Sequence, residues 1–286
     1  MSKIIAKIIY YLLHYFNCFL KILFKKEILY KIKGLIEDNN YLSKEILNKK
    51  ICFFVPTELA KWRVDTLFTK EPETLDWINN FNNNDKKLIF WDIGSNIGLY
   101  SLYAATKYNN IEIFSFEPST SNLRILSRNI SINNLNKKIK IIQLPLNKRE
   151  NIFSEMNENQ FIEGGALNTF GENFNHEGKK LVSKNKYNIY GTNISFFLKN
   201  KILKIPNYIK IDVDGIEHFI LNGAENFFKD LTVKSILIEL NENFKKQYED
   251  VIQFMSDNNF KLLHKKRAEK FYGENFSKVF NYVFIR

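Results

Sequence analysis

Acidic and amide side chains follow two apolar segments in the second half of the chain. Asp212 comes near the end of segment 208–213, and Glu239 and Asn241 end the next one, 236–242. If both segments are neighbouring parallel strands, their carboxyl ends meet at the crevice where open α/β sheets bind ligands. We predict that Asp212 takes a proton from a hydroxyl nucleophile, with Glu239 as a second catalytic carboxylate. Such oxygen ligands also suit Mg²⁺, for which Asp212, Glu239 and Asn241 are the candidate ligands.

The same region has a structural alternative and two histidines. Asp214 could cap the helix that follows, and Glu217 could stabilise its first turn. His176, in a polar segment, and His218, beside the acids, can act as general bases near neutral pH. Because an isolated loop histidine is more often solvated than catalytic, we expect His176 at most to assist Asp212.

A glycine-containing turn, WDIGSNIG over residues 91–98, lies between an apolar strand pattern and a helical one. Gly94 permits a tight turn, and Gly98 lets the helix pack closely. A dinucleotide fingerprint would need glycine where Asn96 stands, and Asp92 would repel a pyrophosphate. The alternative interpretation is that Asp92 and Asn96 only cap and order the turn.

The second strand pattern ends at Glu117, twenty-five residues after Asp92. An acid at this position can accept hydrogen bonds from both ribose hydroxyls of a nucleoside. A cofactor with a ribose, no phosphate and a cationic amino group fits these residues, and S-adenosylmethionine has those properties. We predict that Asp92 pairs with its methionine ammonium group.

The elements that must position these residues alternate between apolar strand patterns and helical patterns. Strands are predicted at 88–91, 111–116, 139–144, 208–213, 235–240, 260–264 and 279–285, and helices at 97–107, 119–134, 215–228 and 244–258, with Ser119 as a cap. Such alternation indicates an α/β fold with a mostly parallel sheet and helices on both faces. No clear helix separates the last two strands, so one of them is predicted to be antiparallel. A polar insertion at about 146–207 is expected to be irregular and to form a substrate loop.

Composition separates an N-terminal extension, residues 1–50, from a domain at 51–286. The chain has 286 residues and a net charge of +11, and ten basic and four acidic side chains fall in the first fifty residues. Two cysteines, Cys18 and Cys52, exclude a disulfide scaffold and a cysteine-rich zinc site, which favours a reducing cytoplasm. Within the extension, residues 3–26 predict an amphipathic helix with a narrow basic stripe. It could lie on a membrane surface, pack on its own domain or a partner subunit, or span a membrane.

Four segments together resemble the FkbM-type family of S-adenosylmethionine-dependent methyltransferases. They are FWDIGSNIGLYSLYAA (90–105), FSFEPSTSNLRILSRNISINN (114–134), YIKIDVDGIEHFILNGAENFF (208–228) and ILIELNE (236–242). The resemblance implies the Rossmann-like class I methyltransferase fold with a seven-stranded sheet. It also implies methyl transfer to a hydroxyl, typically on a sugar or a natural-product scaffold. The sequence departs from the family at Asp214, where such proteins often have Glu.

The resemblance further implies which residues bind the cofactor. Asp92, Gly94, Ser95, Asn96 and Gly98 would line its methionine end, Glu117 its ribose, and Pro118 and Asn147 its adenine side. Metal dependence varies among related sugar methyltransferases, so Mg²⁺ stays an open alternative.

We therefore expect an O-methyltransferase that acts on a hydroxyl of a sugar or glycan, such as a cell-surface polysaccharide or glycolipid precursor. The alternatives are a nucleic-acid methyltransferase, a non-catalytic cofactor-binding protein at a membrane, and a nicotinamide dehydrogenase. The basic charge gives only weak support to nucleic acid, because much of it lies beside an apolar helix face. We expect a cytoplasmic location, with the cytoplasmic face of the inner membrane as the second candidate. Homodimerisation is also open.

Overall fold

A computed structural model describes residues 1–82, 84, 86–267 and 276–286. The chain forms two compact units, residues 1–42 and 43–286, so the first unit ends eight residues before the boundary predicted at residue 50. The first unit consists of two helices, α1 (Ser2–Phe24) and α2 (Leu29–Asp38). Within the described residues, neither these helices nor any other is long and apolar enough to cross a membrane.

The connection between α1 and α2 is fixed by a side chain from the middle of α1. The Oδ1 atom of Asn17 accepts hydrogen bonds from the backbone N–H groups of Ile28 and Leu29, at 2.8 and 3.0 Å. These N–H groups lie at the start of α2, where backbone N–H groups have no acceptor within the helix. Asn17 is the buried residue of α1, so this polar contact sets how the two helices pair.

A hairpin of β1 (Tyr41–Ile46) and β2 (Lys49–Phe54) follows, and all of it except Tyr41 and Leu42 belongs to the second unit. Its two-residue turn, Leu47 and Asn48, has positive φ angles of 52° and 61°, the combination that matches the twist of a hairpin. Two helices follow, α3 (Glu58–Asp65) and α4 (Pro72–Asn79). They lead the chain to the first strand of the main sheet.

The main sheet confirms the predicted fold. Its strands are β3 (Leu88–Ile93), β4 (Ile111–Phe116), β5 (Ile139–Ile142), β9 (Tyr208–Ile211), β10 (Ser235–Asn241), β11 (Lys261–Lys266) and β12 (Val279–Ile285). They are ordered β11-β12-β10-β9-β3-β4-β5. β3, β4, β5, β9 and β10 run parallel, and β12 pairs antiparallel with both β10 and β11. The sequence-based expectation of one antiparallel strand near the C-terminus is therefore confirmed.

Helices connect the strands of this sheet. They are α5 (Leu99–Lys107), α6 (Thr120–Ile132), α8 (Glu217–Asn222) and α9 (Lys245–Asp257). The continuous helix predicted at 215–228 is wrong: α8 is followed by left-handed backbone at Glu225 (φ 49°) and a short 3₁₀ turn. Ser119 occupies the N-cap position of α6, as predicted, but its side chain makes no capping hydrogen bond.

The insertion between β5 and β9 is not irregular as predicted. It contains a three-stranded antiparallel sheet of β6 (Ile152–Glu158), β7 (Thr169–Phe170) and β8 (Asn185–Gly191), followed by α7 (Ile194–Lys199). Met156 and Phe170 are buried in the same apolar core as Trp91 and Phe116 of the main sheet. The insertion is therefore an ordered wall above the ends of the parallel strands.

Candidate active site

The glycine-containing turn brings the ends of β3 and β9 together. Gly94 has φ 86°, and a Cβ atom there would lie 1.8 Å from the backbone oxygen of Asp212. No other residue permits this approach, since it combines left-handed backbone with the absence of a side chain. Gly98 has φ 88°, and its Cβ would lie 2.5 Å from Cδ1 of Leu126. Gly98 thus serves helix packing, as predicted, and stands behind the turn.

Asn96 links the turn to two other segments. Its backbone N–H donates to Oε2 of Glu117 at 2.8 Å, and its Nδ2 donates to the backbone oxygen of Gly165 at 2.6 Å. Its own Oδ1 accepts from Ile97 N–H at 3.0 Å. The Asn96 side chain therefore orders the turn, as the structural interpretation predicted, and it also holds the insertion against the turn.

Glu117 is buried at the end of β4 with both carboxylate oxygens engaged. Oε2 accepts from Asn96 N–H, and Oε1 accepts from Ser119 N–H at 2.9 Å. Burial raises the pKa of Glu117 to about 7, and the two backbone N–H groups limit the rise. Each oxygen retains a lone pair that can accept from a ligand hydroxyl.

A cavity opens beside Glu117. Apolar and small residues from the strand ends and the insertion form most of its wall: Pro118, Leu144, Leu146, Met156, Ala166 and Phe170. Its ionisable lining groups among the described residues are three acids, Glu117, Asp212 and Asp214. This lining suits a cofactor with an aromatic base and positive charge, and it offers no cation to a phosphate.

Four residues predicted to bind the cofactor do not line this cavity: Asp92, Ser95, Gly98 and Asn147. Asp92 is fully buried under the turn, where Oδ2 accepts from Ser101 at 2.6 Å and Oδ1 has no partner among the described residues. Burial raises the pKa of Asp92. The structure therefore assigns Asp92 to support of the turn instead of to the predicted contact with the ammonium group. Asn147 is also buried and donates to the backbone oxygen of Phe170 at 3.0 Å, so it braces the insertion instead of contacting adenine.

Ser95 lies in a second, adjoining cavity. Its hydroxyl donates to the backbone oxygen of Phe116 at 3.3 Å, which ties the turn to β4. Both cavities are lined by Gly94, Asn96 and Asp212. Asp212 therefore stands where the two spaces meet.

Asp212 belongs to a cluster of three acids, one of which the sequence analysis missed. Carboxylate oxygens of Glu71, Asp212 and Glu239 all lie within 4.8 Å of one another. Glu71 comes from the loop before α4, far from the motifs in sequence, and it accepts from Tyr100 Oη at 2.7 Å. The one sequence signal was its position directly before Pro72, at the start of a helix.

Two ammonium groups accompany the three acids. Nζ of Lys210 donates to Oδ2 of Asp212 at 2.6 Å, and Lys70 pairs with Glu71. Burial alone would raise the pKa of Glu71, but the charges of Lys70 and Lys210 hold it at about 2. Burial would lower the pKa of Lys210, and Asp212 and Glu71 raise it instead. Glu71 is therefore ionised, and Lys70 and Lys210 are protonated, at neutral pH.

Two further acids at this site have raised pKa values: Glu239 of the cluster and Asp214 beside it. Burial, together with Asp212 and Glu71, raises the pKa of Glu239 well above its usual range. Burial and Asp212 raise the pKa of Asp214 to about 6. Oδ2 of Asp214 accepts from the backbone N–H of Leu167 at 2.7 Å, so this residue holds the insertion and does not cap α8.

The cluster does not fit the predicted Mg²⁺ site. Asn241 takes no part in it, because its Nδ2 donates to the backbone oxygen of His176 and its Oδ1 accepts from Asn243 N–H. Lys70 and Lys210 already neutralise the charged carboxylates. A divalent cation would have to displace these ammonium groups or share carboxylates with them.

The two histidines have different surroundings. His176 stacks on Phe276 with ring centroids 5.0 Å apart, and neither ring nitrogen has a hydrogen-bond partner among the described residues. It lines a small cavity with Asp214 and Glu239, and burial lowers its pKa. His218 is buried in α8, where burial lowers its pKa to about 4. A neutral His176 is thus available near the acids, whereas His218 packs in the core.

Glu217 has the structural role that the sequence analysis proposed for it. Its carboxyl group accepts from Val213 N–H at 3.0 Å and Gly215 N–H at 3.1 Å, and Gln247 donates to it. Burial raises the pKa of Glu217 to about 8. It orders the turn after β9 and keeps Asp212 and Asp214 in place.

An open cleft continues from Asp212 toward solvent. The aromatic rings of Trp62 and Phe276 line it together with Arg63, Lys70 and Glu239. Arg63 Nε donates to the backbone oxygen of Gly164, at 2.6 Å, which connects α3 to the insertion. Trp62 is 39 % exposed. The cleft therefore offers a flat apolar surface next to the charged cluster.

Residues 92–262 match the family model described as "Methyltransferase FkbM domain". Two curated relatives are "Methyltransferase 1" of Beauveria bassiana, 27% identical over 158 residues, and "Methyltransferase sdnD" of Sordaria araneosa, 26% identical over 167 residues. Each match covers 52% of this chain, and 63% and 64% of the relatives, respectively. The chain thus spans less than two thirds of their length.

Solved structures with a similar chain path include two from prokaryotes. The fibrillarin pre-rRNA processing protein of Methanococcus jannaschii has a TM-score of 0.47 and 11% identity, with 86% of this chain and 83% of that chain covered. Precorrin-6y C5,15-methyltransferase of Geobacter metallireducens has a TM-score of 0.41 and 13% identity, with 75% and 87% covered.

Proposed function

The chain belongs to the methyltransferase FkbM family, and on that premise we propose that it transfers the methyl group of S-adenosylmethionine to a hydroxyl group of a sugar or glycan. The observation that carries this proposal is the position of Asp212. Asp212 lines the cavity beside Glu117, the second cavity that adjoins it, and the open cleft. A carboxylate at such a junction can contact both the methyl donor and the acceptor.

The cofactor is proposed to lie in the cavity beside Glu117. The Glu117 carboxylate would accept from the ribose hydroxyls, and Pro118, Leu144 and Leu146 would pack against adenine. The positive sulfonium and ammonium groups would face Asp212 and Asp214. Since the lining groups that ionise are acids, this orientation places positive charge against negative charge and leaves no phosphate to accommodate.

Asp212 is proposed to be the general base. The cofactor supplies an electrophilic methyl group, so most of the rate should come from aligning the acceptor oxygen with it. As the acceptor oxygen bonds to the methyl carbon, the carbon–sulfur bond breaks with its electron pair going to sulfur, and Asp212 takes the hydroxyl proton. Lys210 holds the Asp212 carboxylate in position. His176 is proposed to assist as a second proton acceptor, because its ring nitrogens are unpaired among the described residues.

The open cleft is proposed to bind the acceptor. Trp62 and Phe276 present rings on which the apolar face of a sugar can stack, and the polar groups beside them can contact its hydroxyls. Neutral Glu239 can donate a hydrogen bond to such a hydroxyl, because its raised pKa keeps it protonated. We propose a cytoplasmic location, in keeping with two free cysteines.

A labelled-methyl assay tests this proposal. The full chain is incubated with methyl-labelled S-adenosylmethionine and, separately, with extracted surface glycans or total RNA. We expect label in the glycan fraction, recovered after acid hydrolysis as an O-methyl sugar. Label in RNA alone would reject the sugar acceptor while keeping methyl transfer. No label in either fraction, from protein that binds S-adenosylhomocysteine, would favour a non-catalytic binding protein.

A further inference from the structure

We propose that the helical hairpin of residues 1–38 docks on an anionic lipid surface, with one face of α1 inserted at the level of the lipid headgroups. This inference does not depend on the methyl-transfer proposal, because it concerns a separate compact unit and binding that needs no turnover. Three features of α1 carry it: an exposed aliphatic face, a basic stripe on the other side, and tyrosines between them.

The aliphatic face of α1 is exposed along its whole length. Its side chains are 50–66 % exposed and comprise Ile5, Ile8, Leu12, Phe16, Phe19 and Leu23. At about 100° per residue they fall within an arc of roughly 80°. An apolar surface of this extent on a water-soluble helix marks an interaction site.

The basic stripe lies on the opposite side of the same helix. Lys3, Lys7 and Lys21 fall within about 40° of one another, centred roughly 160° from the aliphatic face. Lys25 follows the helix directly as its C-cap residue, in left-handed backbone. α1 itself contains no acidic residue, and residues 1–42 have seven lysines against three acids. An interfacial helix has this arrangement, in which the apolar face enters the acyl boundary and lysines reach lipid phosphates.

Tyrosines lie between the two faces. Tyr11 and Tyr15 project at angles between the basic stripe and the aliphatic face and are 53 % and 68 % exposed. Tyrosine is enriched at membrane interfaces because its ring is apolar and its hydroxyl is hydrated. Ile4 and Ile22, which are 64 % and 80 % exposed, project from the same arc, so the apolar surface extends between the two tyrosines.

The remaining side of α1 is already used by α2. Asn17 caps the start of α2, and Lys21 forms an ion pair with Glu27 in the connection. The hairpin therefore keeps the aliphatic face open instead of covering it. A second copy of the chain is a less suitable partner, because protein interface cores are depleted in lysine whereas the flanking charge here is basic. Among the described helices, α1 included, none is both long and apolar enough to cross a membrane.

Vesicle sedimentation with the full chain tests the proposal. The probes are vesicles of phosphatidylcholine alone and of phosphatidylcholine with a quarter phosphatidylglycerol. We expect partitioning into the anionic vesicles to be at least tenfold stronger, and to weaken at 0.5 M salt. Each lysine near an anionic surface contributes about fivefold, so Lys3→Gln, Lys7→Gln and Lys25→Gln together should weaken binding by more than tenfold.

Two further variants complete the test. A triple Lys137→Gln, Lys184→Gln, Lys229→Gln variant removes the same charge from exposed sites of the second unit and should bind as the parent does. Leu12→Gln with Phe19→Gln should abolish binding while circular dichroism shows unchanged helix content. Equal loss in the two lysine variants would overturn the proposal. So would absence of vesicle binding together with a concentration-dependent dimer that the Leu12 and Phe19 changes dissociate.

Discussion

Protonation of Glu117 should control cofactor affinity near neutral pH. Its carboxylate is proposed to accept from the ribose hydroxyls, and the protonated form loses part of that capacity. Burial holds the pKa of Glu117 at about 7 in the folded protein. Affinity should therefore rise with pH through 7 and level off above it.

The size of the effect follows from the ionised fraction. With a pKa of about 7, roughly 9% of Glu117 is ionised at pH 6 and roughly 91% at pH 8. The dissociation constant for S-adenosylhomocysteine should therefore fall between these values by up to about tenfold, or about 1.4 kcal/mol, which is the limit reached when only the ionised form binds. Isothermal titration calorimetry at pH 6, 7 and 8 measures this directly.

Glu117→Gln provides the matched comparison. Glutamine keeps one oxygen acceptor but turns an amide N–H₂ toward the backbone donors of Asn96 or Ser119. We expect affinity at pH 8 to fall about tenfold to a hundredfold, since hydrogen bonds to a charged acceptor contribute about 1.5–3 kcal/mol. Most of the pH dependence should disappear, with a small remainder from Asp214, whose pKa is about 6. An unchanged affinity in this variant, or a parent affinity that is flat from pH 6 to 8, would refute the ribose assignment.

Three further predictions concern other residues. Burial holds the pKa of Glu217 at about 8, so the folded protein keeps a proton that the unfolded chain releases, and parent stability should fall as pH rises from about 5 to about 8. Glu217→Gln should remove this dependence, so its melting temperature relative to the parent should increase between pH 6 and 9; a constant difference would contradict the assignment. Lys210→Met should cost about 3–5 kcal/mol because it leaves Asp212 without its buried counter-charge, and a melting temperature equal to that of Lys137→Met would argue against this ion pair. Trp62→Ala should raise KM for a glycan acceptor about fivefold, or about 1 kcal/mol, with little change in kcat, whereas an unchanged KM would remove Trp62 from the acceptor site.

The parallel sheet could be predicted because its strands are short, apolar and separated by helical patterns. Residues such as Phe90, Trp91, Ile209 and Ile211 are buried in the sheet, and a continuous apolar segment of this kind is visible in the sequence. Gly94, Asn96 and Glu117 could be identified for the same reason, since each lies at a predictable end of a strand.

The insertion could not be predicted in this way. The strands Ile152–Glu158 and Asn185–Gly191 pair residues that lie 27 to 39 positions apart in the chain. Their alternation is obscured by polar side chains that face solvent or form hydrogen bonds. Glu158, for example, is buried but is satisfied by Asn185 and Tyr187. Pairing of this kind depends on tertiary contacts that a local pattern does not contain.

The sequence analysis missed site features that depend on burial and on partners distant in the chain. Asp92 has the residue type of a cofactor ligand, yet its carboxylate lies under the turn beside Ser101. Glu71 has no motif around it, yet the fold brings it to Asp212 from the other side of the cleft. Asn241 ends the expected strand, but hydrogen bonds to neighbouring segments occupy its amide.

Single-turnover methyl transfer by Asp212→Asn tests the central claim most directly. Asparagine keeps the shape of the side chain but cannot accept the hydroxyl proton. We predict that methyl transfer to the glycan acceptor falls by about 10²–10⁴-fold. Calorimetry should still detect binding of S-adenosylhomocysteine, weakened only by the loss of the Asp212 charge that faces its ammonium group. Transfer at the parent rate by a folded Asp212→Asn protein would contradict the account.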